Sequence, residues 1–420
     1  MKAFSKFVFD LQMFAVQTTL LNSPGNDLSP EMKTYYDMTL IDYAQANLVH
    51  DQFGQKRPIP KGSGKTIEFR AFSPLEKALV PLTEGVTPSG NKLDVTRITA
   101  TVAQYGDFIT QSDVLELTAI DNTVLEATKI LGRQAGLTLD TVTREKLMEG
   151  TNVNYAAKLS GGSETDILTR SGLDTGCQLT VHEIQKAVAK LEAQNAPKIG
   201  GYYVGILHPY AAYSLMRDPE WKDWHEYTNS ENMYANEVGE IAGVRFVKST
   251  EAKIFKGANL ASDSETLTIN NASGYSGAIT SVAFDGGTVA ASALVGRWIQ
   301  INGVAAKVTA NTNSTITFES TNFGSITDNT KIYPGEGGKG NLAVFATLII
   351  GDGAYGVTEI EGGGLETIVK QKGSAGTADP LDQKSSVGWK AIKTAEILID
   401  SYMVRIESVV DKYSASVNAN

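Results

Sequence analysis

The spacing of apolar residues predicts two helices in the first third of the chain. Apolar residues recur every three or four positions up to Val49, starting after Ser29 and Pro30, which stand in the order of an N-cap and a first-turn proline. A second stripe covers residues 113–147 and predicts a helix far longer than the usual length of roughly eleven or twelve residues. A helix of that length is expected to span a whole domain as its backbone.

Between the two predicted helices, residues 50–92 form a different kind of segment. It holds ten glycines and prolines, and within it Thr66–Arg70 alternates polar and apolar residues, so that Ile67 and Phe69 share one face of a short strand. A loop of about forty residues is unusual inside a compact domain. We therefore predict an extended loop with a two-stranded excursion and name Ile67 and Phe69 as candidate assembly contacts. The alternative is that this face packs on the loop's own subunit.

The middle and the end of the chain alternate helix and strand patterns after a polar loop at 150–179. The pattern predicts helices at 180–194 and 209–216 and strands at 202–207, 243–248 and 343–350, typical of an α/β sandwich. A long apolar strand pair is predicted at the end, centred on 389–392 and 395–410.

Residues 258–340 interrupt this α/β pattern with a change of composition. Ser, Thr, Asn and Gly make up 39 of the 83 residues, only ten are charged, and short β-type runs recur about every ten residues. Because the buried-strand pattern stops near Phe255 and resumes at 343, we predict an inserted all-β module of five to seven strands.

Length and composition exclude several classes of protein. A chain of 420 residues suggests two or three domains. The net charge of −10 does not suit a protein that coats nucleic acid with its whole surface. One cysteine and four histidines without ligand spacing provide neither a disulfide nor a zinc site, so no metal or cofactor is expected. No apolar run is long enough to span a membrane.

The amino-terminal segment is apolar but lacks the marks of a secretory signal. Asp10 and Gln12 interrupt its apolar stretch, and no cleavage signature follows. We interpret it as an arm that docks on another surface, with Phe7, Phe9 and Phe14 as candidate assembly contacts.

Two glycine-rich motifs suggest nucleotide binding, and both fail on their surroundings. KGSGKT at 61–66 has Ile59 where a phosphate-binding loop needs glycine, and prolines precede it in place of a buried strand. GDGAYG at 351–356 follows an apolar strand, but Gly362, Gly363 and Gly364 do not suit the helix that a dinucleotide site requires. There is no Gly-x-Ser-x-Gly elbow around a nucleophile. The sequence therefore predicts no catalytic site and no enzyme activity.

Several segments together resemble the major capsid proteins of tailed bacteriophages, and within them the family of the N-four-like phages. They cover the chain outside the β-rich segment in the family's order, whereas residues 258–340 depart from the family's pattern. The segments are LVHDQFGQKRPIPKGSGKTIEFRAFSPL (48–75), LTEGVTP (82–88), VAQYGDFITQSDVLELTAID (102–121), HPYAAYSLMRDPEW (208–221), AYGVTEIEGGGLETIVK (354–370) and DPLDQKSSVGWKA (379–391).

The resemblance implies an α+β protein with the Hong Kong ninety-seven type of tailed-phage capsid fold and an inserted all-β domain. It implies a peripheral domain with a spine helix, an axial α/β domain, an extended loop and an N-terminal arm. The expected divisions are the arm and first helix (1–49), the extended loop (50–92), the peripheral domain (93–179), the axial domain (180–257 and 341–378), the inserted β domain (258–340) and the C-terminal strands returning to the peripheral domain (379–420).

The function implied by this resemblance is a structural one. The chain would assemble with itself, as hexamers and pentamers, into the icosahedral head shell around double-stranded DNA. Further expected partners are scaffold, portal and decoration proteins, with packaged DNA contacted only indirectly and no membrane. Such a protein is made in the host cytoplasm and ends in the virion. Two alternatives are a secreted or tail-associated β-rich adhesin and a nucleotide-binding enzyme.

Overall fold

The computed structural model describes most of the chain from Val49 onwards, with short gaps. The described residues are 49–420 without 63, 73–74, 76, 80, 82–83, 86, 88–89, 114–122, 161–162, 227–238, 263, 286–288, 361–364, 371–380 and 382. The predicted first helix and Phe7, Phe9 and Phe14 lie outside them.

The described residues contain four α-helices, which are Thr123–Leu147 (α1), Val181–Ala193 (α2), Pro209–Met216 (α3) and Pro219–Glu226 (α4). Short 3-10 helices lie at Arg170–Gly172 and Asp400–Tyr402. The strands are, in chain order, Gln55–Lys56 (β1), Thr66–Phe72 (β2), Val95–Thr101 (β3), Ala103–Ser112 (β4), Val153–Tyr155 (β5), Lys158–Ser160 (β6), Ser163–Thr165 (β7), Tyr203–Leu207 (β8), Glu240–Ile241 (β9), Val244–Lys248 (β10), Ile254–Phe255 (β11), Leu267–Thr268 (β12), Ala278–Ala283 (β13), Trp298–Ile301 (β14), Val304–Asn311 (β15), Thr315–Asn322 (β16), Lys331–Pro334 (β17), Val344–Ile350 (β18), Tyr355–Glu359 (β19), Glu366–Lys370 (β20), Lys384–Ile397 (β21) and Met403–Val409 (β22).

A seven-stranded sheet forms the centre of the α/β part. Its strands run in the order β5-β22-β18-β8-β10-β9, and β11 pairs with β18. Every residue of β8, β18 and β22 is buried, as expected of strands covered on both faces. Helix α2 packs one face against this sheet through apolar residues at helical spacing, among them Ile184, Val188 and Leu191. The predicted helices and strands between 180 and 248 are confirmed to within one or two residues.

Helix α2 begins with help from a distant side chain. Its N-cap, Thr180, makes no side-chain capping bond, and the Val181 amide instead donates to the Asp218 carboxylate at 2.8 Å. A carboxylate is favoured there because the first amides of a helix carry partial positive charge. Asp218 thus joins the start of α2 to the segment between α3 and α4.

A five-stranded sheet packs against α1, the helix predicted as a spine. Its path is β1-β19-β21-β20, and β4 pairs with the other side of β21. Along β21 every second residue is buried, and Val387, Trp389 and Ala391 meet Leu131 and Ala135 of α1. The predicted long helix is thus confirmed over 123–147.

A buried ion-pair network links the end of α1 to the seven-stranded sheet. Glu407 of β22 is fully buried and accepts hydrogen bonds from Arg170, at 2.6 Å to each carboxylate oxygen, and from Arg405 at 2.9 Å. The Arg405 guanidinium also donates to the carbonyl oxygens of Met148 and Gly150, just after α1. Arg405 thus joins the segment that follows α1 to β22.

The end of the chain does not form the predicted strand pair, and this prediction is wrong. β21 pairs with β4, β19 and β20, whereas β22 pairs with β18 and β5 in the other sheet. The sheets also divide the chain differently from the expected boundary at 378/379, because β19 and β20 join β21 in the five-stranded sheet. Residues 398–402 pass from one sheet to the other and do not form a hairpin turn.

Residues 258–340 contain the β module, a six-stranded antiparallel sheet in the order β12-β17-β14-β15-β16-β13. It has an apolar core of its own, centred on Phe284, Ile299, Ile316 and Phe318. The chain leaves the seven-stranded sheet at β11 and returns at β18, and these two strands pair with each other. That residues 258–340 form an inserted domain stays a prediction.

The two connections of the β module are held together by one side chain. The Asn341 side chain accepts from the Gly257 amide at 2.8 Å, and its amide group donates to the Gly257 carbonyl at 2.9 Å and to Glu265. Asn341 is buried and has a φ of 58°, a conformation that asparagine tolerates better than most residues. Entry and exit of the module therefore meet at one point.

Candidate assembly surfaces

The extended loop contains an antiparallel ribbon of β2 and β3. From here on, "the arm" means this loop (residues 56–102) and not the N-terminal arm of residues 1–49. Ile67 pairs with Ala100, and Phe69 pairs with Ile98. The partner strand β3 ends at Thr101, so the loop extends beyond the expected boundary at 92. A two-stranded ribbon is at best marginally stable alone, so its faces need further contacts.

The apolar face of the arm packs on the arm's own chain. Phe69 is buried, and its ring comes within 3.1 Å of the position that a Cβ on Gly356 of β19 would occupy. Ile67 is half-buried. For Phe69 the structure therefore supports the alternative, packing on its own subunit, and corrects its assignment as an assembly contact. For Ile67 an assembly contact stays a prediction.

A cluster of buried polar groups fixes the root of the arm to α1. The amide and Nδ1 of His50 both donate to the Asp140 carboxylate, at 2.9 and 2.7 Å, and both residues are almost fully buried. The next residue, Asp51, accepts from Thr143 of α1 and pairs with Lys393 of β21. Breaking one partner of such a buried pair is costly, so this root is firmly attached.

Beyond the ribbon the arm carries large apolar side chains in solvent. The exposed fractions are 59% for Leu75, 81% for Leu79 and 66% for Leu93. Single exposed leucines are ordinary, but several in one projecting segment mark an interaction surface. The sequence analysis did not name these leucines as candidate contacts, although Leu75 and Leu79 stand four positions apart in SPLEKALVPL (73–82).

An open apolar groove of about 720 Å³ runs along α1, where α1 borders the five-stranded sheet. Its lining includes Tyr105 of β4 and Ile130, Leu137 and Val142 of α1. Ile130 is 55% exposed. The apolar stripe of α1 is thus wider than the face that the sheet covers.

Charged residues line the C-terminal end of this groove. Lys146 lies 2.9 Å from Glu149 and 3.3 Å from Glu396. The hydrogen bond to Glu149, aided by Glu396 and opposed by burial, raises the pKa of Lys146. At Glu145 burial favours the neutral form, but hydrogen bonds from Lys253 and Arg144 outweigh it and lower the pKa. Lys146 and Glu145 are therefore charged at neutral pH.

Comparison with known proteins identifies the kind of protein that carries these surfaces. Residues 143–330 match the sequence model of a family described as phage capsid protein. The capsid of Ralstonia phage GP4 has a similar structure, with a TM-score of 0.56 at 11% identity over 93% of this chain and 99% of that one. The capsid structure of cyanophage P-SCSP1u gives a TM-score of 0.52 at 13% identity over 94% of both chains. The chain is thus similar in sequence to phage capsid proteins over residues 143–330 and similar to them in fold over nearly its whole length.

The chain has the Hong Kong ninety-seven type of fold that the resemblance implies, since both capsid structures match it over nearly its whole length. At these identities the likeness concerns the fold. The family match reaches residue 330, so it includes most of the β-rich segment, which the sequence analysis expected to depart from the family's pattern. No curated protein matches the sequence.

The two glycine motifs of this chain lie between strands. KGSGKT leads into β2, and GDGAYG joins β18 to β19, whereas phosphate-binding loops of both kinds lead into a helix. Neither segment therefore has the architecture of a nucleotide site.

Cys177 and His208 lie in structural positions. Cys177 is buried, and burial raises the pKa of its thiol to about 11, which leaves it protonated and unreactive. His208 is the N-cap of α3. Within the described part of the chain, no group of three or more His, Cys, Asp or Glu residues could hold a metal ion, and no helix is long and apolar enough to cross a membrane.

Proposed function

We propose that this chain is the major subunit of an icosahedral phage head, and that the arm of each copy reaches a second copy and places its leucines in that copy's α1 groove. The observation that carries the proposal is a pair of matching apolar surfaces, Leu75, Leu79 and Leu93 on the arm and the groove along α1. Neither is covered by the described residues of the same chain.

The geometry of this contact suits a closed ring. Each copy gives one arm and receives one arm, so the contact joins two different surfaces and is repeated around a ring when the rotation closes. Hexamers and pentamers of a shell satisfy this condition. Each contact can be weak, because once a ring has begun to close, its further contacts form within one assembly and not between separate molecules.

The same proposal accounts for the division between rigid and projecting parts. The sheets and α1 form a firmly packed body, and the arm root is tied to it by His50 and Asp51. In the proposed shell, packaged double-stranded DNA lies inside. Scaffold, portal and decoration proteins are further proposed partners, and synthesis in the host cytoplasm with a final place in the virion completes the proposal.

Electron microscopy and light scattering of the purified protein test the proposal. We expect shells or capsomers from the unaltered chain, with scaffold supplied where it is needed. Replacing Leu75, Leu79 and Leu93 together by aspartate should leave folded subunits that do not assemble, because unpaired carboxylates would have to be buried in the groove. Leu168→Asp is a matched control, since Leu168 is 84% exposed and lies away from the arm. Monomers alone from the unaltered chain, or normal shells from the triple variant, would contradict the proposal.

A further inference from the structure

The outer face of the arm carries an unbalanced group of charges. Arg70 and Arg97 lie directly opposite each other on β2 and β3, an arrangement in which like charges destabilise a ribbon. Glu68 bridges them, at 3.0 Å from Arg70 and 3.6 Å from Arg97. Both arginine side chains remain well exposed, at 65% and 72%. Two cations thus share one anion, and the group has an unmatched positive charge.

The C-terminal end of the α1 groove carries the opposite imbalance. Glu149 and Glu396 share the single ammonium group of Lys146, which leaves an unmatched negative charge. Glu149 is the exposed member, with 64% of its side chain accessible against 23% for Glu396. A guanidinium group can approach Glu149 from solvent and bind its carboxylate through two hydrogen bonds.

The spacing along the two surfaces matches. Five residues separate Arg70 from Leu75, which is a reach of at most about 17 Å. On α1 the ten residues from Leu137 in the groove to the last helical residue, Leu147, correspond to about 15 Å at the rise of a helix, and Glu149 follows two residues later. A leucine of the arm that lies near Leu137 therefore brings Arg70 close to Glu149.

From this complementarity we propose that Arg70 and Arg97 of one copy bind Glu149 of a second copy, and that this ion pair sets the position of the arm along the groove. The inference rests on the proposed function, because it requires the arm to lie in the groove. The leucines alone would allow the arm to slide, since apolar contacts are non-directional. A charge pair at the end of the groove selects one position.

A carboxylate of a second copy suits the arginines better than a phosphate of nucleic acid. Residues 55–70 hold five basic residues and one acidic residue, a charge of +4, within a chain of −10, so the rest of the chain carries −14. A second copy of this chain is thus an acidic surface.

A charge exchange tests the pair, because every copy in a shell carries both altered residues. We expect Arg70→Glu alone and Glu149→Arg alone to lower the yield of shells by about tenfold or more at low salt, since like charges then meet at the contact. The double variant R70E/E149R should restore most of the yield. Lys307→Glu and Glu319→Arg on the exposed face of the β module are controls with the same charge changes and should assemble normally.

Each result supports or overturns the inference. A double variant that assembles no better than the single variants, or an Arg70→Glu variant that assembles normally, would overturn the pair, while shells of the unaltered chain would still uphold the proposed function. If the unaltered chain gave only monomers, the proposed function itself would be contradicted. If Arg70→Glu reduced binding of a short DNA duplex without any change in shell yield, the arginines would be a phosphate site and the inference would be wrong. Melting of each variant by circular dichroism confirms that it is folded.

Discussion

The arm and the β module both leave the body of the protein, yet they are stabilised in different ways. The module closes an apolar core of its own between β12 and β17. The arm is a two-stranded ribbon whose one buried face rests on β19, and its leucines remain in solvent. An excursion with its own core folds by itself, whereas one without a core depends on a second surface. The difference separates a segment with an apolar core of its own from one whose leucines stay exposed.

The largest loss of stability is expected from a substitution in the core of the β module. Phe284→Ala should destabilise the module by about 3–5 kcal/mol, because it leaves a cavity among packed side chains. Leu79→Ala on the arm should change the free energy of unfolding by less than about 0.5 kcal/mol, because Leu79 is exposed. Urea denaturation of unassembled subunits measures both. Equal losses in the two variants would show that the arm leucines already pack within the subunit.

A second, smaller effect is expected at the module's root. Asn341→Ala should destabilise the protein by about 1–3 kcal/mol, since it leaves the buried Gly257 amide and carbonyl without partners. Asn329→Ala is the matched control, because Asn329 also has a positive φ, of 63°, but is exposed. Thermal melting that gave the same loss for both would assign the effect to backbone strain alone.

Removal of the whole module should have a still smaller effect on the rest of the protein. Because β11 and β18 pair at its base, joining Gly257 to Asn341 is expected to leave the remaining transition within about 1 kcal/mol of its original value. Aggregated product from several linker lengths would instead show that the segment is integral to the fold. The measurement is denaturation of the deletion variant followed by tryptophan fluorescence.

The smallest expected effect on stability is a pH dependence that arises outside the β module. Burial lowers the pKa of His208 from 6.5 to about 4, and its Nδ1 accepts from the Tyr210 amide, which requires neutral imidazole. The unfolded chain therefore binds this proton more readily, so its contribution to stability is complete above pH 6.5 and is lost as the pH falls towards 4. We expect the melting temperature to fall by about 2 °C over that range.

His208→Asn supplies the control for this pH dependence. Asparagine can accept the same amide hydrogen bond as an N-cap but does not titrate, so the variant should lack this part of the decline. The deletion variant should keep it, because all four histidines lie outside residues 258–340. A decline that persisted in His208→Asn would assign it to other groups.

The spacing of apolar residues predicted the helices and strands well where a segment packs against one known kind of surface. α2, β8, α3 and β10 lie within one or two residues of expectation, because each buries a face or a whole strand in the central sheet. β21 and β22 were also recognisable as apolar strands. Their partners were not, because an apolar strand can pair with any buried edge, and only the fold decides that β22 lies between β18 and β5.

The assembly surfaces were less predictable than the fold for a similar reason. The alternation around Phe69 shows that one face is buried, but it does not show whether the arm's own chain or a neighbour covers that face. Ile130 and Leu137 belong to the same apolar stripe as Leu131, yet only Leu131 meets the sheet. The signal for an exposed groove was that the apolar stripe of α1 is wider than the sheet that covers it. This can be recognised only when the positions of β4 and β21 are known.

The length of β21 has a mechanical consequence for a force applied along this strand. Ten consecutive residues of this strand pair with β4 on one side, while β19 and β20 pair with it on the other. Backbone hydrogen bonds in antiparallel sheets lie perpendicular to the strands, so a tension applied along β21 loads many of them at once in shear. They cannot open one after another as in a peeled hairpin. A strand held in this way transmits force across the subunit as a stiff tie.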